Sequence, residues 1–176
     1  WLFWPSFTSA VVAPELGYLT VLNTVLALCG STLATYVFSK LIRGKIEVED
    51  IANAALAGGV CIGSTCSTAN PGFAMVIGIC AGTLSTLGFA IIAPKVCKLI
   101  RGTDTCGVHN LHGMPGLLGG LFSIAITGNV GVQVGAVVAT VVVGLVLGRV
   151  CGAILGLFGT KEVPYSDEGD FLLEEE

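Results

Sequence analysis

The sequence predicts an all-α protein, a polytopic bundle of transmembrane helices. Three observations carry that prediction. Hydrophobic residues make up 53% of the chain and charged residues only 11%, far below the roughly 25% charge of soluble domains. Residues 16–39, 51–94 and 105–148 contain no Asp, Glu, Lys or Arg, and a bilayer asks for about 20 consecutive apolar residues per helical span. The cations fall in three clusters between and after these runs, a spacing that alternates membrane faces.

The first run is long enough for one span, Leu16 to Phe38. Each of the two longer runs carries turn chemistry near its middle. In the first it is Asn70-Pro71-Gly72, and in the second Gly128-Asn129-Val130-Gly131. Each therefore reads as a helical hairpin. The spans predicted are Ile51 to Ser67, Gly72 to Cys97, Gly107 to Thr127 and Val132 to Leu157. Glu47, Glu49 and Asp50 precede the second span, and Asp104 with Thr105 precedes the fourth, where acids and short polar residues favour a helix N-terminus.

Lys40, Arg43 and Lys45 follow the first span, Lys95, Lys98 and Arg101 the third, and Arg149 and Lys161 the end of the fifth. The opposite connections hold no Lys or Arg, so the positive-inside rule predicts that the basic face and the C-terminus are cytoplasmic. The chain divides into a transmembrane region, 1–159, and an acidic cytoplasmic tail, 160–176. The tail accounts for the net charge of −4 and implies no nucleic-acid partner. Within it, Glu168 to Leu173 has the form of an acidic dileucine sorting signal. The opening Trp1-Leu2-Phe3-Trp4-Pro5 has no initiator Met and reads as the last turns of a helix, so an N-terminally incomplete sequence is expected.

Seven cysteines without a Cys-x-x-Cys pair act as small hydrophobes in lipid. Glycine pairs four apart, among them Gly59/Gly63, Gly78/Gly82, Gly116/Gly120 and Gly144/Gly148, provide the smooth stripes by which apolar helices pack.

The two histidines, His109 and His112, lie within the fourth span, where an ionisable side chain is a functional hypothesis by default. Three residues apart, they project in neighbouring directions, so only one need face a pore. His112 is the choice. It is one turn deeper, and Gly113 and Pro115 follow it, opening space and freeing the Leu111 carbonyl. His109 is assigned a structural role. No carboxylate accompanies the pair inside the membrane, and the remaining polar candidates there, the cysteines and Asn53, lack ligand spacing. An enzyme, a metal site and a cofactor are not expected.

The stretch Asp104-Thr105-Cys106-Gly107-Val108-His109-Asn110-Leu111-His112-Gly113-Met114-Pro115-Gly116 closely resembles the signature of Rh glycoproteins, a branch of the ammonium transporter (Amt/Mep/Rh) family. Ile51 to Val60 is similar to the start of that family's eighth helix, and Trp4-Pro5-Ser6-Phe7 to the end of its sixth. The resemblance runs from about Leu2 to Leu157. It implies the C-terminal portion of an ammonium transporter fold of eleven to twelve helices, a plasma-membrane location, and a homotrimer or Rh-type heterotrimer. Each subunit would hold a narrow hydrophobic pore for ammonia or ammonium. By motif position His112 matches a pore histidine and Phe7 a gate phenylalanine, with Asp104, Asn53 and His109 structural near the pore. The other pore histidine is expected upstream of residue 1. Alternatives from the same resemblance are a non-conducting structural membrane subunit and a carbon dioxide channel.

Overall fold

The computed structural model describes residues 1–104 and 107–159. Thr105, Cys106, Lys161, the acidic tail and its dileucine pattern lie outside the described residues. The described chain is helical and divides into two units, Trp1–Val137 and Val138–Glu176.

Within the first unit a short helix α1, Trp4–Ser9, leads through a single 3-10 turn to α2, Gly17–Arg43. Gly44, at φ 75°, ends α2 by placing its N–H on the Lys40 carbonyl, a left-handed cap that costs a glycine little. The next span is broken. It consists of α3, Val48–Asn53, a 3-10 turn at Ala54–Leu56, and α4, Ala57–Ile62, followed by turns through residue 68. The expected uniform helix to Ser67 therefore stops at Ile62.

The break survives in an apolar setting because α2 serves it. Backbone groups freed at membrane depth need partners from neighbouring helices. Ser31 donates to the Ala55 carbonyl at 2.6 Å, and Asn23 Nδ2 donates to the Cys66 and Ala69 carbonyls at 2.9 and 2.7 Å. Ser39 Oγ accepts from the Glu47 N–H at 3.0 Å. Thr20, Asn23, Thr24, Ser31, Thr35 and Ser39 are all buried, whereas Leu33, Tyr36, Val37 and Leu41 face outward. Helix α2 is thus polar on its protein side and apolar on its outer side, the reverse of a soluble helix.

Asn70 caps α5, Pro71–Leu87, by accepting the Phe73 N–H at 2.8 Å, with Pro71 in the first turn. A π turn, Gly88–Ile92, joins α5 to α6, Ala93–Ile100. A second π turn, His109–Gly113, opens α7, Met114–Thr127, which ends at Gly128 with φ 69°. Helix α8, Val130–Gly156, follows after Gly128 and Asn129. Three stretches among the described residues are long and apolar enough to cross a membrane: Pro14–Arg43, Pro71–Ile100 and Val130–Gly156.

Glycines set the closest crossings. A side chain at Gly78 would land on the Ala27 carbonyl, one at Gly82 on the Ser31 backbone, and one at Gly30 at 3.0 Å from the Ile79 nitrogen. The matched order of contacts makes α2 and α5 parallel. Gly116 near Val60 and Gly119 against the Cys61 carbonyl make α4 and α7 parallel in the same way, and Ser64 donates to the Gly119 carbonyl at 2.8 Å. Around these crossings Ala27, Ala57, Cys61, Ile62, Ala74, Ile77 and Ala81 form the core, and Phe73 meets Phe122 edge to face at 5.7 Å.

Candidate functional site

The histidine segment is built as a π turn rather than as the α-helix that its span suggests. The Met114 N–H reaches back five residues to the His109 carbonyl. Carried one residue further, the same pattern would ask Pro115 for a hydrogen bond to the Asn110 carbonyl, and proline has no N–H to give. Ser85 of α5 supplies the donor instead, its hydroxyl lying 2.7 Å from the Asn110 oxygen in a buried contact. The carbonyl that Pro115 orphans is therefore that of Asn110, one residue before the Leu111 expected from α-helical spacing.

The π turn at Gly88–Ile92 has the same form. There the Ala93 N–H bonds the Gly88 carbonyl, and Pro94 comes next. The two π turns touch. A side chain at Gly88 would strike the Met114 methyl and lie 2.7 Å from Asn110 Oδ1, and one at Gly107 would strike the Phe89 ring. Gly107 also adopts φ 65°, so both its space and its backbone conformation exclude a side chain. π Bulges inside α-helices gather at functional sites.

Asp104 starts the segment. One carboxylate oxygen accepts the Val108 N–H and the other the His109 N–H, each at 2.9 Å. Donors that begin a helix are thereby satisfied by a charge of the favourable sign. Asp104 thus has the capping role expected of it and fixes the backbone of a histidine as well.

His109 and His112 are both exposed on this chain, while Asn110 and Leu111 between them are buried. A π turn takes one more residue per turn than an α-helix, so positions three apart fall further short of a full turn and the two imidazoles splay. The space at Gly113 belongs to His109. A side chain at Gly113 would come within 2.9 Å of His109 Nδ1, so the imidazole lies against bare backbone. Spacing alone assigned that space to His112, because it took the segment for a regular helix. Gly116, Leu117 and Leu121 continue the exposed face along α7, giving two imidazoles on an otherwise smooth, apolar surface.

The remaining candidates lie elsewhere. Phe7 is 68% exposed on α1, which is tied to α2 through the Thr8 and Thr24 hydroxyls at 2.8 Å. Asn53 ends α3 and donates to the Glu49 carbonyl at 3.3 Å. Among the described residues, no hydrogen bond joins either one to the histidine turn. Sequence reasoning passed over Ser85 and treated Asp50 only as a helix-starting acid. Asp50 is fully buried and holds Arg43 in a two-point ion pair at 3.1 and 3.2 Å.

These features define a multi-pass helical membrane protein in which one of two touching π turns carries both histidines. The chain belongs to the Ammonium Transporter Family, whose model matches residues 1–168. It is 47% identical to "Ammonium transporter Rh type A" of Canis lupus familiaris over 129 residues, which is 70% of this chain and 31% of that protein. It is 45% identical to "Ammonium transporter Rh type B" of Homo sapiens over 132 residues, 73% of this chain and 29% of that protein. A solved chain described as "Nitrosomonas europaea Rh50 and mechanism of conduction by Rhesus protein family of channels" superimposes with a TM-score of 0.90 at 48% identity, covering 98% of this chain and 46% of that one. The sequence lies in the Rh branch and has that fold. It spans about three tenths of the length of these mammalian relatives. The family is one of transporters, not of enzymes.

Proposed function

We propose that the chain forms part of a channel that passes ammonia, drawn from ammonium, through a narrow apolar conduit lined by His112 and His109. The observation that carries this reading is the pair of exposed imidazoles on a π turn, set on a face otherwise made of glycine and leucine.

A charge at the bilayer centre costs at least about 2.5–3.5 kcal/mol, so a narrow apolar conduit disfavours ammonium and admits neutral ammonia. At the outer mouth an exposed ring such as Phe7 attracts the cation by roughly 0.5–2 kcal/mol, holding it until its proton leaves. An imidazole in its neutral form offers one donor and one acceptor, which can replace water without placing a fixed charge in the path. His112 is the deeper of the two. His109 is the more firmly held, its backbone fixed by Asp104 and its ring seated over Gly113. In this reading the protein is a homotrimer or Rh-type heterotrimer in the plasma membrane, with its basic face and C-terminus cytoplasmic.

The test is stopped-flow internal pH in vesicles carrying the full-length protein under an inward ammonia gradient. The wild type should alkalinise the lumen well above the rate of empty vesicles. His112→Ala and His109→Ala should each lower the rate or admit ammonium current, with His109→Ala affected at least as strongly. An unchanged His112→Ala protein removes His112 from the pore. Wild-type permeability equal to that of empty vesicles favours a non-conducting structural subunit.

A further inference from the structure

We infer that Ser85, on the neighbouring helix, is a positioning residue for the pore: its hydroxyl, by occupying the Asn110 carbonyl, holds the histidine turn in its π register and so sets where both imidazoles point. The inference rests on the pore reading above and names a residue of the same site that touches no permeant.

Within the turn, the Met114 N–H bonds the His109 carbonyl five residues back. An α-helix would place that same N–H four residues back, on Asn110. In the π register the Asn110 carbonyl therefore has no backbone donor, and the Ser85 hydroxyl, 2.7 Å from its oxygen, satisfies it and so favours that register. Pro115 offers no alternative donor. Ser85 is fully buried and Asn110 is 1% exposed, so water does not compete for the position.

The surroundings are shaped for this register. Asn110 Oδ1 is buried without a hydrogen-bond partner among the described residues and points at Gly88, where any side chain would displace it. The Met114 methyl fills the other side of Gly88. Ser85 and Gly88 lie one turn apart on the α5 helix and its π extension, so one short stretch of that helix supplies both the donor and the space.

Without the hydroxyl, the Asn110 carbonyl becomes an orphan in an apolar interior, and its nearest remedy is the Met114 N–H. Taking it converts the turn from π to α. The extra residue passes back toward Gly107, and His109 and His112 rotate away from their present directions. An orphaned buried acceptor is disfavoured enough to lower the population of the π register by about 10-fold or more. Conduction that depends on the imidazoles falls with it.

The experiment compares Ser85→Ala and Ser85→Thr with wild type in the full-length protein, using an ammonium chloride gradient and internal pH, alongside a cryo-EM structure of Ser85→Ala. Ser85→Ala should conduct about 10-fold less than wild type at equal folded amount, with Met114 N–H moved onto the Asn110 oxygen. Ser85→Thr, which keeps the hydroxyl, should conduct at close to the wild-type rate. An alanine variant with wild-type conduction, or with Met114 still on the His109 carbonyl, overturns the inference. So does a threonine variant that loses as much as alanine. A silent wild type would defeat the pore reading, whereas the register in the alanine structure would still judge the role of Ser85.

Discussion

Arg43 closes α2 with a guanidinium still 26% exposed, and it grips a carboxylate that has no exposure at all. The geometry is two-pronged, at 3.1 and 3.2 Å, so removing one partner strands Asp50 as an uncompensated buried charge. Such losses cost about 3–5 kcal/mol, while replacing both partners by apolar residues is often neutral. Arg43→Met should therefore destabilise the protein by roughly 3 kcal/mol or more, and Arg43→Met with Asp50→Leu should recover most of that. Thermal unfolding in detergent reads both, and a double variant as weak as the single one would assign the cost to packing around Arg43. Asp50 was visible in the sequence only as one of three acids ahead of a span. Its partner lies seven residues back, but the left-handed turn at Gly44 breaks the helix between them, so no helical period pairs the two. The histidines were legible because an ionisable group in lipid stands out. Their directions were not, since those depend on Ser85 and Pro115 acting together on one carbonyl.

At the scale of helices, the gaps between charges located the three long apolar stretches, but hydropathy carries no information about backbone register. Two sequence signals for the π turns were nonetheless present. Gly88-Phe89-Ala90-Ile91-Ile92-Ala93-Pro94 and His109-Asn110-Leu111-His112-Gly113-Met114-Pro115 each place proline two positions after the turn, where the next five-residue hydrogen bond would need an N–H. The broken second span was illegible for the opposite reason. Its breaks are stabilised by Ser31, Asn23 and Ser39 of α2, residues that read on their own as ordinary small polar interruptions of an apolar helix. Glycine pairing was legible as a pattern but not as a set of contacts. At Gly78 a new Cβ meets the Ala27 backbone, which cannot yield by rotating a side chain, so α2 and α5 must separate. Overpacking of this kind costs about 1–3 kcal/mol or more. Gly144, in the second unit, has nothing within 4 Å of the same atom, although the sequence presents it in the same four-residue spacing. Gly78→Ala should lower the unfolding temperature markedly and Gly144→Ala should leave it within error. Equal effects would mean that helix propensity, not close approach, governs both positions.

For the whole molecule, packing and charge together support the proposed orientation in the membrane. The α2 and α5 helices run parallel, as do α4 and α7. Helices that share a direction place their C-terminal ends on one face, and both α2 and α6, which continues α5, end among cations: Arg43 with Lys45, and Lys95 with Lys98 and Arg101. The turn after α7 instead holds Gly128 and Asn129, with no charge. The proposed orientation sets the basic ends against the anionic cytoplasmic leaflet, where Lys and Arg are retained. Reporter fusions to the full-length protein in a bacterial host provide the measurement. A fluorescent protein joined after Arg101 should be bright and alkaline phosphatase there inactive, while phosphatase joined after Gly128 should be active. The reverse pattern would turn the protein over and move Asp104 and the start of the histidine turn to the outer face. It would then place Phe7 at the inner mouth, where capture of ammonium from outside could not begin.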